Sequence, residues 1–406
     1  MKRQANHFRA LAVYFALGCA LPLSADAGRE MKQGESTAGI EPINAVEPLI
    51  APVAPARKWR LDGSLSAAAI YNDNIFIGAT GKMGDVLLTI SPSVSLTLGS
   101  PDGQGAGYLT LNYAPGFVHY AEHSAQDSIS HSALFNTGYR FTRLSLSLSL
   151  GYHQGRETDV EVGALVDHRN YSAALTSKYE LTDRSSVDLS LSKSFSDYDG
   201  FLDVSEMVVQ GYFNSRITEA ITLGVGVAYG SAEAQGSTAQ GYEQVTMRAA
   251  YSATERLSLS ANVGGDFRNS GDGNQCSPIF GLGANYKPFD STDVSLSGSR
   301  SIVPSAVLVH QDKELTSFFL SVRQRFLQRY FLTPSVGYDH TEYGGSAEGV
   351  GESRNDDSIA FGLNAATNLT EHWSVQLFYQ YRRNTSTAEG FSFTNNQLGL
   401  SSAVSF

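Results

Sequence analysis

The chain has 406 residues, 42% of them hydrophobic and only 17% charged, with 39 Gly, 12 Pro and 2 Cys. The charged share falls short of the roughly 25% of a soluble domain, yet a mean hydropathy of −0.17 is too polar for a bundle of membrane helices. Two Cys exclude a disulfide framework or a multi-cysteine metal cluster, 20 Tyr and 21 Phe exclude disorder for the bulk of the chain, and a net charge of −11 speaks against a nucleic-acid partner.

The first element is an address. Lys2, Arg3 and Arg9 precede a short apolar run from Ala10 to Ala25, and Ala25-Asp26-Ala27 ends it. A positive head, a short apolar centre and an A-x-A end describe a secretory signal peptide spanning 1–27. Its removal takes the net charge from −11 to about −13. Cys19 follows Ala16-Leu17-Gly18, a poor lipoprotein box because Ala stands where Leu is needed. Residues 28–57 are rich in Pro, Ala and Glu without any period, and read as a flexible periplasmic leader.

From 58 to 406 the dominant period is two. Leu144, Leu146, Leu148 and Leu150 alternate with serines; Ile221, Leu223, Val225 and Val227 alternate with Thr, Gly and Gly; Leu257 and Leu259 repeat the pattern. Such alternation gives strands with one apolar and one small polar face. No apolar run after Ala27 is long enough for a membrane helix. Segments of this kind lie near 59–71, 85–98, 107–119, 130–141, 144–154, 170–181, 186–196, 206–217, 221–231, 242–253, 257–268, 278–288, 293–303, 314–326, 330–340, 358–369, 373–383 and 394–406. Their lengths suit tilted spanning strands. The fold class expected is all-β: a transmembrane antiparallel up-and-down β-barrel of about 18 strands. An even number returns both chain ends to the periplasmic side.

The connections alternate as well. Thr142-Arg143, Thr182-Arg184, Thr218-Ala220, Thr254-Arg256, Gln328-Arg329 and Thr370-His372 are short periplasmic turns. The stretches 156–169, 232–241, 269–277, 341–357 and 384–393 are longer polar extracellular loops. The Thr turns at 182, 218 and 254 recur every 36 residues, which is one hairpin pair and not a solenoid repeat. Aromatics near segment ends (Tyr139, Phe141, Tyr152, Tyr179, Tyr229, Tyr251, Tyr286, Tyr330, Trp373) match interfacial girdles. Outer-membrane lipid and lipopolysaccharide are therefore expected partners. The terminal Phe406 resembles the last-strand signal read by barrel-assembly machinery.

Inward positions are mostly Ser, Thr, Gly, Ala and Asn, too small to fill a barrel of this size. Charged residues join them: Arg60, Asp62, Lys178, Glu180, Asp188, Arg248, Asp266, Lys287, Arg323, Arg325, Asp339 and Arg382 are the candidate pore-lining set. Both signs occur, so a transverse field or mutual pairing follows. Lys193 and Arg300 fall on the lipid face by simple alternation, where lipopolysaccharide phosphates or a bulge would accommodate them. The chain holds no separate plug domain, though one or two loops can fold in and constrict the bore.

Motifs for chemistry are weak. His119, His123 and His131 surround one loop but match no standard metal spacing. Asp197-Tyr-Asp199-Gly200 and Asp272-Gly-Asn274 lack the further ligands of a calcium loop. Gly224-Val-Gly226 and Gly281-Leu-Gly283 are strand glycines, since no helix follows them. No nucleophile motif supports catalysis, and no cofactor or metal is called for. Cys276 falls in a predicted loop.

One stretch is more particular. Tyr71-Asn72-Asp73-Asn74-Ile75-Phe76 is followed by Asp85 and a strand carrying Ser91-Pro92. Over about 40 residues this resembles the outer-membrane β-barrel porin 2-type family, with Asn72 in place of the usual first acid. The resemblance implies a barrel of the sort that accompanies exopolysaccharide synthesis and export, working with periplasmic polysaccharide-export proteins. Within the motif, Asp73 and Asn74 read as loop-turn formers. Three functions are thus in view: an exopolysaccharide conduit in the outer membrane of a Gram-negative cell, a general small-solute uptake porin, and a non-transporting adhesin or structural barrel.

Overall fold

The computed structural model describes residues 59–100, 106–236, 239–270, 273–305, 312–344 and 354–406. The signal peptide, Cys19, the leader and Asp272 lie outside the described residues. Eighteen strands run in order: β1 (Trp59–Asn72), β2 (Asp85–Gly99), β3 (Gly107–Tyr120), β4 (Ser128–Arg140), β5 (Leu144–Asp159), β6 (Ala164–Glu180), β7 (Ser185–Tyr198), β8 (Val204–Arg216) and β9 (Ile221–Ala234). Then follow β10 (Gln240–Thr254), β11 (Leu257–Ser270), β12 (Gly273–Phe289), β13 (Thr292–Pro304), β14 (Asp312–Phe326), β15 (Tyr330–Tyr343), β16 (Arg354–Asn368), β17 (Trp373–Ser386) and β18 (Phe393–Ser405).

Each strand pairs antiparallel with its chain neighbours, and β1 pairs with β18 from Ser64↔Ser405 to Asn72↔Gln397, so the sheet is closed. Closure pairs every strand with a neighbour on each side, which is the condition for crossing hydrocarbon. With strands about 4.8 Å apart and tilted about 40°, such a barrel is roughly 36 Å across between backbones.

The alternation settles which face is which. Leu65, Leu146, Leu150, Leu175, Leu189, Val225, Met247, Leu259, Leu282, Leu363, Leu377, Leu398 and Leu400 stand on the exposed exterior. Tyr139, Phe141, Tyr179, Tyr251, Tyr286, Tyr330 and Trp373 ring the end that carries the short turns, and Tyr171 and Tyr229 lie toward the other end. At the seam Phe406 exchanges two backbone hydrogen bonds of 2.9 Å with Gly63. Its ring lies across Gly63, where a Cβ would sit 2.3 Å from Cε2.

The recurring threonines explain their own turns. The Thr182 hydroxyl accepts from the backbone N–H of Arg184 (3.2 Å) and Ser185 (3.0 Å), and Thr218 does the same for Ala220 and Ile221. Thr254 and Thr370 accept from Arg256 and His372. A hydroxyl that caps its own chain two residues on is the turn chemistry of Ser and Thr.

The loop end departs from expectation. Much of the stretch 156–169 is strand: β5 continues to Asp159 and β6 begins at Ala164. Strand also occupies most of 269–277, so Cys276 lies in β12 and exposed, not in a loop. The regions 232–241, 341–357 and 384–393 are likewise shortened by β9, β10, β15, β16 and β17. The reason is physical. Beyond the bilayer both faces of a hairpin meet polar surroundings, so the ladder persists while the apolar alternation stops.

Candidate functional site

All twelve charged candidates face the lumen by strand register. Several are paired within the wall. Arg60 donates to Asp62 at 2.6 Å on β1. Lys287 lies 3.3 Å from Asp293. Lys178 stands opposite Asp188 across β6 and β7, and Glu180 opposite Ser186. Asp188 is fully buried and accepts from Arg248 Nη2 and Asn214 Nδ2, each at 2.6 Å. Asp266 is buried against Arg268 (2.9 Å) and Gln244 (2.8 Å). Arg323 covers the Phe331 ring at 4.5 Å, and Arg325 donates to the Asp290 carbonyl. Asp339 is buried on β15, and Arg382 on β17 lies 5.8 Å from the Phe393 ring.

The glycines of β9 serve this arrangement. Its inward face is Gly224, Gly226, Ala228, Gly230, Ala232 and Ala234. A Cβ on Gly226 would meet the Tyr212 ring at 2.4 Å, and one on Gly230 the Tyr242 ring at 2.0 Å. Both tyrosines therefore lie flat on the wall. Arg248 stacks on Tyr212 at 4.0 Å and Arg268 on Tyr242 at 4.3 Å, a cation–π arrangement.

Arg300 is resolved without a bulge. Pairing between β12 and β13 reaches only Phe280↔Arg300, while β13 continues to Pro304. Past that point β13 leaves the wall and folds over the inner face of β9 to β12. Its outward-facing side chains then meet the inner surface of its neighbours. Arg300 pairs with Glu314 and donates to Thr316 (3.1 Å), and Ser277 donates to Glu314 (2.9 Å). Arg268 reaches past β12 to the Ile302 carbonyl (2.9 Å) and to Asp312 (2.9 Å). Lys193 keeps its place on the exterior, exposed between Ala173 and Met207.

A second hairpin completes the mouth. The β5–β6 tip, Val160 to Gly163, crosses to the diametrically opposite wall, that of β14 to β16. Glu161 pairs with Lys313 of β14 and accepts from the Ser305 hydroxyl at 2.5 Å. Arg354 of β16 donates to the Glu161 carbonyl (2.7 Å) and the Val160 carbonyl (2.9 Å). The guanidinium sits between the Phe391 and Tyr343 rings, at 3.6 and 4.6 Å, and pairs with Asp356. The tip is shaped by Gly163, at φ +72°, whose N–H donates to the Asp159 carbonyl. Glu161, Arg354 and Lys313 were not among the sequence candidates. Glu161 lay in a predicted loop, and no local pattern links it to residues some 150 positions away.

The Tyr71–Phe76 motif folds as a clasp at the β1–β18 seam. Asn395 Nδ2 donates to Asn72 Oδ1 (2.5 Å) and the Asn74 carbonyl (3.1 Å). Asp73 accepts from the backbone and side chain of Asn396. Asn74 is buried and spans Gly78 and the Thr394 carbonyl. Ile75 is buried beneath it, Tyr71 points outward, and Phe76 meets the His123 ring edge-on at 6.0 Å.

The three loop histidines do not converge. His119 pairs with Asp127 and His131 with Tyr113, while His123 donates backbone and ring to the buried Asp85. The Tyr120 backbone N–H and the His119 ring together hold the Asp127 carboxyl below its ordinary range. A different group does gather: His153 and Glu157 on β5 and His168 on β6. Reading 156–169 as a loop concealed it, since only the hairpin register pairs Gly155 with His168.

A closed barrel with an apolar belt, aromatic girdles and a polar interior defines a transmembrane β-barrel of the outer-membrane type. Solved structures similar to it include a siderophore receptor and an iron transporter. The siderophore receptor PiuA of Acinetobacter baumannii is 11% identical, with a TM-score of 0.49 over 88% of this chain and 82% of that one. The FrpB iron transporter of Neisseria meningitidis is 10% identical, with a TM-score of 0.45 over 82% of this chain, which spans only 62% of FrpB. OccK11 (OpdR) of Pseudomonas aeruginosa is 11% identical, with a TM-score of 0.44 over 85% and 96%. The likeness is one of fold alone. No family model and no curated protein matches the chain.

Proposed function

We propose that the chain is a gated conduit of the outer membrane, and that its cargo is an exopolysaccharide on its way out of the cell. The observation that carries the gate is the latch of Glu161 and Arg354, which holds the β5–β6 tip against the opposite wall. A bore of this width with small inward residues stands open unless something crosses it. Here the crossing piece is a short hairpin tip held by polar contacts, which can release without unfolding the wall.

Two features support a sugar cargo. The motif Tyr71–Phe76 with Ser91-Pro92 resembles the porin 2-type family, in which export systems are the recurring context. Moreover, Arg60 with Asp62, Arg248 with Asp188, Arg268 with Asp266 and Lys287 with Asp293 neutralise one another. A wall of paired charges and hydroxyls, such as Ser147 with Thr176, offers many weak contacts and little selective field. That suits a chain that must slide without being held. Phe406, exposed beside Gly63, is the group offered to barrel-assembly machinery, and Lys193 is positioned for lipopolysaccharide phosphate.

Two measurements test this. Planar-bilayer recordings of the wild type should show a mostly closed channel with rare large openings; a standing large conductance points to a general porin, and none under any condition to an anchor. Deleting the gene should abolish polysaccharide in the medium. Unchanged secretion with altered small-solute uptake overturns the export reading.

A further inference from the structure

We propose that His153, Glu157 and His168 form a binding site for one divalent transition-metal ion, on the lumen side of the hairpin whose tip crosses the mouth. The site does not depend on what passes through the bore. Register turns all three side chains inward: His153 and Glu157 lie four residues apart on one face of β5, and His168 lies opposite Gly155 on β6. One ligand atom from each lies within 4.8 Å of the others. His153 Nε2 is 3.1 Å from Glu157 Oε1, and His168 Nε2 is 3.9 Å from Glu157 Oε2.

These distances nearly match what a metal requires. Ligands at about 2.0–2.1 Å from a tetrahedral ion stand roughly 3.3 Å apart. Rotamer adjustments of an ångström or less therefore bring the trio together, with no movement of the β5–β6 ladder. The two imidazoles are borderline ligands and outweigh the single hard carboxylate, which favours Zn²⁺, Ni²⁺, Cu²⁺ or Co²⁺ over Mg²⁺ and Ca²⁺. The His168 side chain is mostly enclosed and its ring lies nearly parallel to Tyr198 at 6.1 Å, which orients it. His153 and Glu157 are about one-third exposed, at 33% and 36%, so the remaining coordination positions open to lumen water. Arg156 does not compete, since it is turned to the other face and pairs with Asp167. A bound ion would cross-link β5 to β6 directly below the tip.

The test uses the untagged full barrel in detergent micelles. Zn²⁺ titrated by calorimetry should bind one to one, more weakly as the pH falls, because the imidazoles must be deprotonated. His153→Ala and His168→Ala should each weaken binding at least tenfold, and Glu157→Gln should weaken it several-fold. The pair His119→Ala and His131→Ala, both exterior, should leave it unchanged. A second measurement needs no variant: diethyl pyrocarbonate labelling of the wild type, mapped by mass spectrometry, should show Zn²⁺ protecting His153 and His168 but not His340. Binding of wild-type strength in the His153→Ala/His168→Ala protein, absence of Zn²⁺ binding by the wild type, or equal labelling of His153 and His168 with and without Zn²⁺ overturns the proposal.

Discussion

Replacing Arg354 by Met together with Asp356→Asn should open the channel. Methionine keeps an unbranched apolar stem between Phe391 and Tyr343, and the second change avoids leaving Asp356 buried without its cation. What is lost is two hydrogen bonds from a charged donor, to the carbonyls of Val160 and Glu161. Hydrogen bonds to charged groups contribute about 1.5–3 kcal/mol each. The lower figure for both gives about 3 kcal/mol, which shifts a closed-to-open ratio by roughly two orders of magnitude. Single-channel recording reads this directly as open probability, with heat-modifiable gel migration as the check that the barrel is folded. A folded double variant with the wild-type open probability would refute the view that Arg354 holds the tip.

Gly163→Ala should act in the same direction, because φ +72° strains an L side chain and its Cβ would stand 3.0 Å from the Phe391 ring; more frequent openings would show it. Asp188→Ala should destabilise the barrel, because it removes the acid that the mostly enclosed Arg248 pairs with. Breaking one side of a buried pair costs about 3–5 kcal/mol, visible as a lower guanidinium midpoint. The β3–β4 connection should loosen in acid. Asp127 is held below its ordinary value of 3.8, so its contribution is complete above that value and is lost as the pH falls through the lowered one. Amide exchange at Tyr120, whose N–H donates to Asp127 at 2.8 Å, should accelerate there once corrected for intrinsic rates.

The wall was legible because its two faces meet different solvents. Wherever lipid lies on one side and water on the other, selection writes Leu-Ser-Leu-Ser, as in β5 from Leu144 to Leu150. The same strand becomes Gln154-Gly-Arg-Glu-Thr-Asp159 once both faces are wet, and the alternation vanishes although the hydrogen bonds continue. The turns were legible through threonine, whose hydroxyl acts locally. The contact of the β5–β6 tip with the opposite wall was not, because Glu161 and Arg354 are joined by the tilt and inward lean of whole hairpins. Nor was the departure of β13 from β12. Arg300 marked the place, since a charge in phase with lipid-facing residues needed an explanation, but parity alone gave no sign that the strand itself moves inward.

The two hairpins at the mouth are anchored very differently, and this decides which of them can move. The β13–β14 arm is held by Arg268, whose side chain is only 3% exposed and ties Asp266 of the wall to Asp312 and the Ile302 carbonyl. Ile302, Val303 and Leu315 are buried with it, so lifting the arm exposes apolar surface and takes Asp312 and the Ile302 carbonyl from Arg268, which keeps Asp266. The β5–β6 tip is held by Glu161 and two backbone carbonyls, contacts that water can replace on opening, with Gly163 resting on the Phe391 ring. Its own ladder runs unbroken from Leu144↔Tyr179 to Asp159↔Ala164, so it can tilt as a unit without losing internal hydrogen bonds. In the proposed gate the arm is therefore the fixed sill, and the tip is the part that swings.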